Sequence, residues 1–258
     1  KTTTVTKLLA LLVAQSFNCS SAQNKLLRIE LAAPTGKAAA RLTESISKAK
    51  VDLPFSEEIK QAIPDQASTL HRLLGSDFGR SRFKHNRENP LHLDVLLVDE
   101  VSMVDLPMMA KLIDALPSHA RLILLGDKDQ LASVEAGSVL GDLSFGIESV
   151  YFQPEWANRL ASLTSENIVP FGNVSAPPIS KALTLLRTSY RFDENSGIGH
   201  LAKTMNAGDS RGVLNCLQSD YGDVHWCIPD EKQTKADIAT LAKGYDDYWE
   251  AVKQGADI

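Results

Sequence analysis

Cysteine is scarce in this chain. Its 258 residues include three, Cys19, Cys216 and Cys227, an odd number at wide spacing that fits neither a disulfide framework nor a zinc site. Long apolar runs are missing as well, and no stretch approaches the roughly 20 residues of a membrane span. The run Leu8 to Ala14 is at the short limit for a secretory signal. It reads instead as one face of a helix through Val5, Leu8, Leu9, Leu12 and Val13. Positive charge is not in excess: the formal net charge is -5, and residues 220–258 carry nine acids against four lysines, leaving residues 1–219 neutral. Any nucleic-acid surface must therefore be a local patch rather than a bulk field. What remains is a globular composition, 43% hydrophobic and 23% charged, long enough for one or two domains with a proper core.

The chain is organised around residues 95–105. Val95, Leu96, Leu97 and Val98 are what a parallel strand buried on both faces requires, and they run straight into Asp99 and Glu100. Two carboxylates at the C-terminal end of such a strand lie where open α/β sheets bind ligands. One acid can hold magnesium while the other, aimed differently as the chain turns, orients or deprotonates a water. Leu122 to Leu125 predicts a second buried strand, and Gln130 follows just past its end, where an amide can donate to a phosphate oxygen or hold a water.

Other segments supply partners to this centre. Lys1 and Thr2 open a helix and match the last two positions of the phosphate-binding loop Gly-x-x-x-x-Gly-Lys-[Ser/Thr]. Ile29 to Ala33 predicts a strand turning at Pro34, Thr35 and Gly36 into a helix from Lys37. Thr35, the Gly36 amide and Lys37 would then sit at a helix N-terminus suited to a phosphate. In Ser68 to Gly75 the leucines share a helical face, leaving His71 and Arg72 to point elsewhere. Arg72, Arg80, Arg82, Lys84 and Arg87, interleaved with Phe78 and Phe83, suit a small hairpin touching a phosphate backbone, or a merely solvated basic loop.

Asp105 predicts a cap for a helix burying Leu106, Met109, Leu112, Ile113 and Leu116. Residues 145–181, punctuated by Pro154, Pro170, Pro177 and Pro178, predict a long mobile loop. Ala182 to Leu186 predicts a strand leading to Tyr190, which can stack on an adenine, and Arg191, which can reach a transferring phosphoryl group. A helix capped by Asn195 or Ser196 and stopped at Gly208 follows. Val224 to Ile228 predicts a strand, and the last helix places Ile238, Leu241, Tyr245, Tyr248, Trp249 and Val252 on one core-facing stripe.

The order of these segments is specific. Lys1-Thr2, then residues 33–42 around Pro34-Thr35-Gly36-Lys37, residues 68–74 around Thr69 and His71, residues 98–105 around Asp99-Glu100, residues 125–131 around Gln130, and residues 189–192 around Tyr190-Arg191 resemble the motif series of superfamily 1 DNA helicases. The match is best with the RecD group, the alpha subunit of the bacterial helicase-nuclease exodeoxyribonuclease V.

The resemblance implies an α/β fold, a RecA-like P-loop parallel sheet with flanking helices plus an incomplete second domain. Residues 1–187 would form the first motor domain, with a small hairpin inserted at 75–90, and residues 188–258 the mostly helical start of a second. It implies ATP and Mg2+ as cofactors. Lys1 would contact the β- and γ-phosphates, Thr2 and Asp99 the magnesium ion, and Tyr190 the adenine. Glu100 would activate water, Gln130 would sense the γ-phosphate, and Arg191 would stabilise the transition state. Single-stranded DNA would run along Thr35, Gly36, Lys37, Thr69 and His71, with Arg80, Arg82 and Lys84 on the hairpin. A cytoplasmic motor moving 5′ to 3′ beside other subunits of a helicase-nuclease, in recombinational DNA repair, follows from the same resemblance. The missing loop glycines lead to the expectation that the chain as given is an inactive fragment. Rival readings are a P-loop ATPase without translocation and a catalytically silent DNA-binding or assembly subunit.

Overall fold

The apolar positions 5, 9 and 13 fall on one side of a helix, and α1 (Thr2–Cys19) buries Val5, Leu9, Ala10 and Val13 while Leu8 stays 41% exposed. The computed structural model describes residues 2–19, 27–76, 83–127, 130, 139–144, 151–186, 192, 195–226 and 231–254. It forms two compact units, residues 1–186 and 187–258.

In the first unit β1 (Ile29–Ala33) leads into α2 (Gly36–Val51), then α3 (Glu57–Ala62), β2 (Ser68–Thr69) and α4 (Leu70–Leu74). The chain continues through β3 (Val95–Val98), α5 (Leu106–Ala115), β4 (Arg121–Leu124) and α6 (Val139–Leu143). The four strands make one parallel sheet in the order β2-β1-β3-β4. Side chains alternate across each strand, and that alternation builds two layers. Ile29, Leu31, Val95 and Leu97 pack with Val5, Leu9, Leu42 and Ile46 of α1 and α2. Ala32, Leu96 and Val98 pack with Leu70 and Leu74 of α4 and Met109 and Leu112 of α5 on the other side. All four β3 residues are fully buried, which explains why that strand carries no polar residue.

The strand order reverses between β1 and β3. From β1 the chain passes outward to β2, then returns to lay β3 on the opposite flank of β1. The helix after β1 covers one face and the helix after β3 the other. The region outside the C-terminal ends of two strands at such a reversal is the usual ligand position in open parallel sheets.

Several elements depart from expectation. Residues 145–181, expected as a mobile loop, contain α7 (Pro154–Leu163) and 3-10 turns at Val169–Phe171 and Pro178–Ala182. Pro154 occupies the first turn of α7, where its missing N–H costs nothing, so that proline starts a helix rather than excluding one. Residues 183–186 are not a strand, because the 3-10 turn ending at Ala182 replaces its start. In α5 the buried face is Met109, Leu112 and Ala115, while Leu106 and Ile113 are more than half exposed. Those two lie about 100° off that stripe.

The second unit packs α8 (Gly197–Asn206) against α9 (Ser210–Gln218) and adds α10 (Glu231–Lys243) and α11 (Asp246–Lys253). Ser196 caps α8, its Oγ accepting from the Gly199 N–H, and Gly208 takes a left-handed φ of 67° just beyond the helix. Asp223 accepts from Ser196 Oγ at 2.7 Å and from the Gly197 and Ile198 N–H groups. Residues 224–226 are coil rather than strand, and 227–230 lie outside the described residues. The expected single terminal helix is broken at Gly244 and Tyr245. Its stripe is not core: Ile238, Leu241, Tyr245, Tyr248, Trp249 and Val252 are all 40% or more exposed.

Candidate active site

Asp99 continues β3 for one more rung, donating its N–H to Ala32 O at 2.9 Å, and it is only 8% exposed. The pairing ends there. Asp99 Oδ1 accepts from the Glu100 N–H at 2.8 Å, and Glu100 adopts φ 54° and ψ 42°. It is the only non-glycine residue with positive φ among the described residues. A left-handed turn at an unbranched acid costs about 1–2 kcal/mol and takes the chain out of the line of β3 immediately after Asp99.

A 3-10 turn, Val101–Met103, follows and is fastened to the end of β4. Leu125 donates to Val98 O at 2.8 Å, and Val101 donates to Leu125 O at 2.9 Å. Gly126 sits so close that a Cβ there would lie 2.5 Å from Leu140 Cδ2 and 3.3 Å from Ser102 N. A side chain at this position would push Leu140 aside and crowd the Ser102 backbone, so glycine suits the close approach of the two loops. Beyond it, the buried Ser102 hydroxyl donates to Gln130 Oε1 at 3.3 Å, while Gln130 itself is exposed. The acidic pair and Gln130 therefore share one rim of the sheet, as the spacing required. Nothing in the sequence pointed to Ser102 or Gly126, since the contact joins positions 28 residues apart.

The rim continues across β1 and β2. Thr35 Oγ1 accepts from the Ala38 N–H at 3.2 Å and caps α2, and Thr69 Oγ1 accepts from the Arg72 N–H at 3.2 Å and caps α4. Ala33 is in register with Thr69, so both caps stand at the ends of neighbouring parallel strands. Gly36 has no positive φ, and a Cβ on it would meet nothing within 4 Å. Neither backbone nor packing demands glycine there; its effect is to leave room beside exposed Lys37. His71 and Arg72 are exposed while Leu70 and Leu74 are buried, as the leucine spacing predicts.

The basic hairpin has a defined stem. Ser76 and Phe83 form an antiparallel bridge, and exposed Lys84 donates its N–H to Gly75 O. Phe83 meets the His71 ring edge-on at 5.8 Å, and Lys111 of α5 lies 5.2 Å from its centroid. Thr2 occupies the first turn of α1, half-buried. Lys1, Arg80, Arg82, Tyr190 and Arg191 lie outside the described residues. Carboxylate and hydroxyl oxygens such as those of Asp99 and Thr2 are the donor type a magnesium ion takes.

Comparisons with known proteins place the chain among its relatives. A family model described as an AAA domain matches residues 1–136. The RecBCD enzyme subunit RecD of Haemophilus influenzae is 45% identical over 230 residues, 88% of this chain and 34% of the relative. The subunit of the same name from Mycolicibacterium smegmatis is 41% identical over 231 residues, 89% of this chain and 35% of the relative. The ATP-dependent RecD2 DNA helicase of Deinococcus radiodurans is 43% identical over 111 residues, 43% of this chain and 13% of that protein. The chain thus spans about a third of the length of the two RecD subunits. With 136 of its residues matched by that model, the chain belongs to the AAA-domain family and is RecD-like in sequence.

Proposed function

We propose that this chain carries the ATP-hydrolysing centre of a DNA helicase subunit that moves 5′ to 3′ on one strand, within a helicase-nuclease serving recombinational repair. The observation that carries the reading is the joining of Asp99, Glu100 and Gln130 on one rim, at the point where the strand order reverses. In this reading water attacks the γ-phosphorus, the bond to the β,γ-bridging oxygen breaks, and ADP leaves as phosphate forms. Glu100 orients that water and takes its proton. Gln130 donates an amide N–H to a γ-phosphate oxygen. Asp99 and Thr2 would hold magnesium, which supplies charge neutralisation between the phosphates when bound. Lys1, Tyr190 and Arg191 take their assigned roles of phosphate contact, adenine stacking and transition-state stabilisation from their motifs.

Single-stranded DNA is the proposed substrate of the second rim. Two capping threonines, an open glycine and a lysine at helix N-termini suit phosphate oxygens. Arg80, Arg82 and Lys84 take their assigned role of contacting the same strand from their sequence position. Other subunits of the complex are the proposed protein partners. The test is Glu100→Gln in the full-length protein: ATP and DNA binding are retained while hydrolysis and strand separation are both lost. Duplexes with a 5′ or a 3′ single-stranded tail check the direction. Hydrolysis without any DNA stimulation in the wild-type protein would instead support an ATPase that does not translocate.

A further inference from the structure

We propose that Ser102 is a positioning residue for hydrolysis, setting which end of the Gln130 amide faces the terminal phosphate. The inference rests on the ATPase reading above. A glutamine amide has two nearly isosteric orientations, and only the one that presents Nε2 can donate to an anionic oxygen. Left to itself on an exposed loop, Gln130 would sample both. Ser102 breaks the tie. Ser102 is buried, 4% exposed as a residue, and in the structure its hydroxyl is the donor and Gln130 Oε1 the acceptor, at 3.3 Å. With Oε1 engaged, Nε2 is the end turned outward from the 3-10 turn.

The hydroxyl can act in this way because its own position is fixed from two sides. Upstream, the left-handed Glu100 and the turn Val101–Met103 set the direction of the chain. Downstream, Val101 is tied to Leu125, and the bare Cα of Gly126 lets the loop carrying Gln130 close onto the Ser102 backbone. Ser102 is thus two residues from the acid that handles the water and one hydrogen bond from the amide that contacts the phosphate. A change at either reaches the other through a single side chain.

The experiment uses the full-length protein in a steady-state ATPase assay with single-stranded DNA. Ser102→Ala is expected to lower kcat about five- to tenfold, the consequence of one neutral hydrogen bond, with the KM for ATP unchanged. Ser102→Thr, which keeps the hydroxyl, restores most of the rate. In a Gln130→Ala background Ser102→Ala costs nothing more, because the two act as one unit. Gln130→Glu, an isosteric change on an exposed side chain, keeps the acceptor for Ser102 but removes the outward donor, and is expected to lose as much rate as Gln130→Ala. A wild-type kcat in Ser102→Ala, an equal loss in both backgrounds, or full activity in Gln130→Glu would each overturn the inference. Glu100→Gln is run alongside: turnover there defeats the ATPase reading itself, whatever Ser102 does.

Discussion

Replacing Glu100 separates stability from chemistry in a measurable way. Its backbone sits at φ 54° and ψ 42°, a conformation that costs a residue with a Cβ about 1–2 kcal/mol and glycine almost nothing. Glu100→Gly removes that cost but gives the unfolded chain extra freedom worth about 0.4–1 kcal/mol. The net expectation is a gain of about 1 kcal/mol over Glu100→Ala, which keeps the strain. For a domain of this size that corresponds to an unfolding midpoint about 2–4 °C higher. Comparing glycine with alanine rather than with wild type matters, because both variants lose the same carboxylate and whatever it contacts. Both should also abolish ATP hydrolysis. Calorimetry or thermal circular dichroism on the two purified proteins supplies the measurement. Equal midpoints would show that residue 100 is not held in a left-handed turn.

Three further outcomes can be checked. Asp94 joins the starts of β1 and β3 to the α5–β4 loop, accepting from Arg28 N at 2.9 Å and Nε at 3.1 Å and pairing with His119 at 3.2 Å. Asp94→Ala should lower the denaturant midpoint without altering the slope of the transition. Phe83→Ala removes the ring between His71 and Lys111. For this partly buried ring we expect a loss of about 2 kcal/mol, below the range for a fully buried phenylalanine, with weaker single-strand binding in fluorescence anisotropy. The Ser196 hydroxyl holds the Asp223 carboxyl below the usual aspartate range, opposed by burial and helped by the Gly197 and Ile198 N–H groups. A depressed folded pKa adds stability above the unfolded pKa and loses it as pH falls through the folded value. Asp223→Asn should therefore be less stable than wild type at neutral pH, and the gap should close below about pH 4 in acid unfolding curves.

The parts of the fold governed by nearby residues were legible in the chain. Val95–Val98 read as a buried strand because a strand covered on both faces tolerates no polar side chain, and Asp105 and one of Asn195 or Ser196 read as caps because short oxygen-bearing side chains at those positions complete a helix start, Ser196 being the one that does. That Gln130 and Asp99 fall on the same edge of the sheet was legible too, since each follows a strand of the same parallel sheet. What escaped depends on tertiary context. The Ser102 bond and the tight seat at Gly126 exist only once β3 and β4 are paired. Pro154 reads as a breaker from composition, yet at the first turn of α7 it is harmless. The stripe from Ile238 to Val252 has helical spacing, which says that residues share a side but not that anything covers it.

Thr35 and Thr69 each have one oxygen lone pair committed to a helix amide. That commitment leaves each hydroxyl its proton to offer outward, alongside one remaining lone pair. An incoming group that brings electron density meets that proton directly. If single-stranded DNA is the ligand, as proposed, its unesterified phosphate oxygens would meet those protons at every unit, whatever base is attached, and the rim would grip its track without reading it.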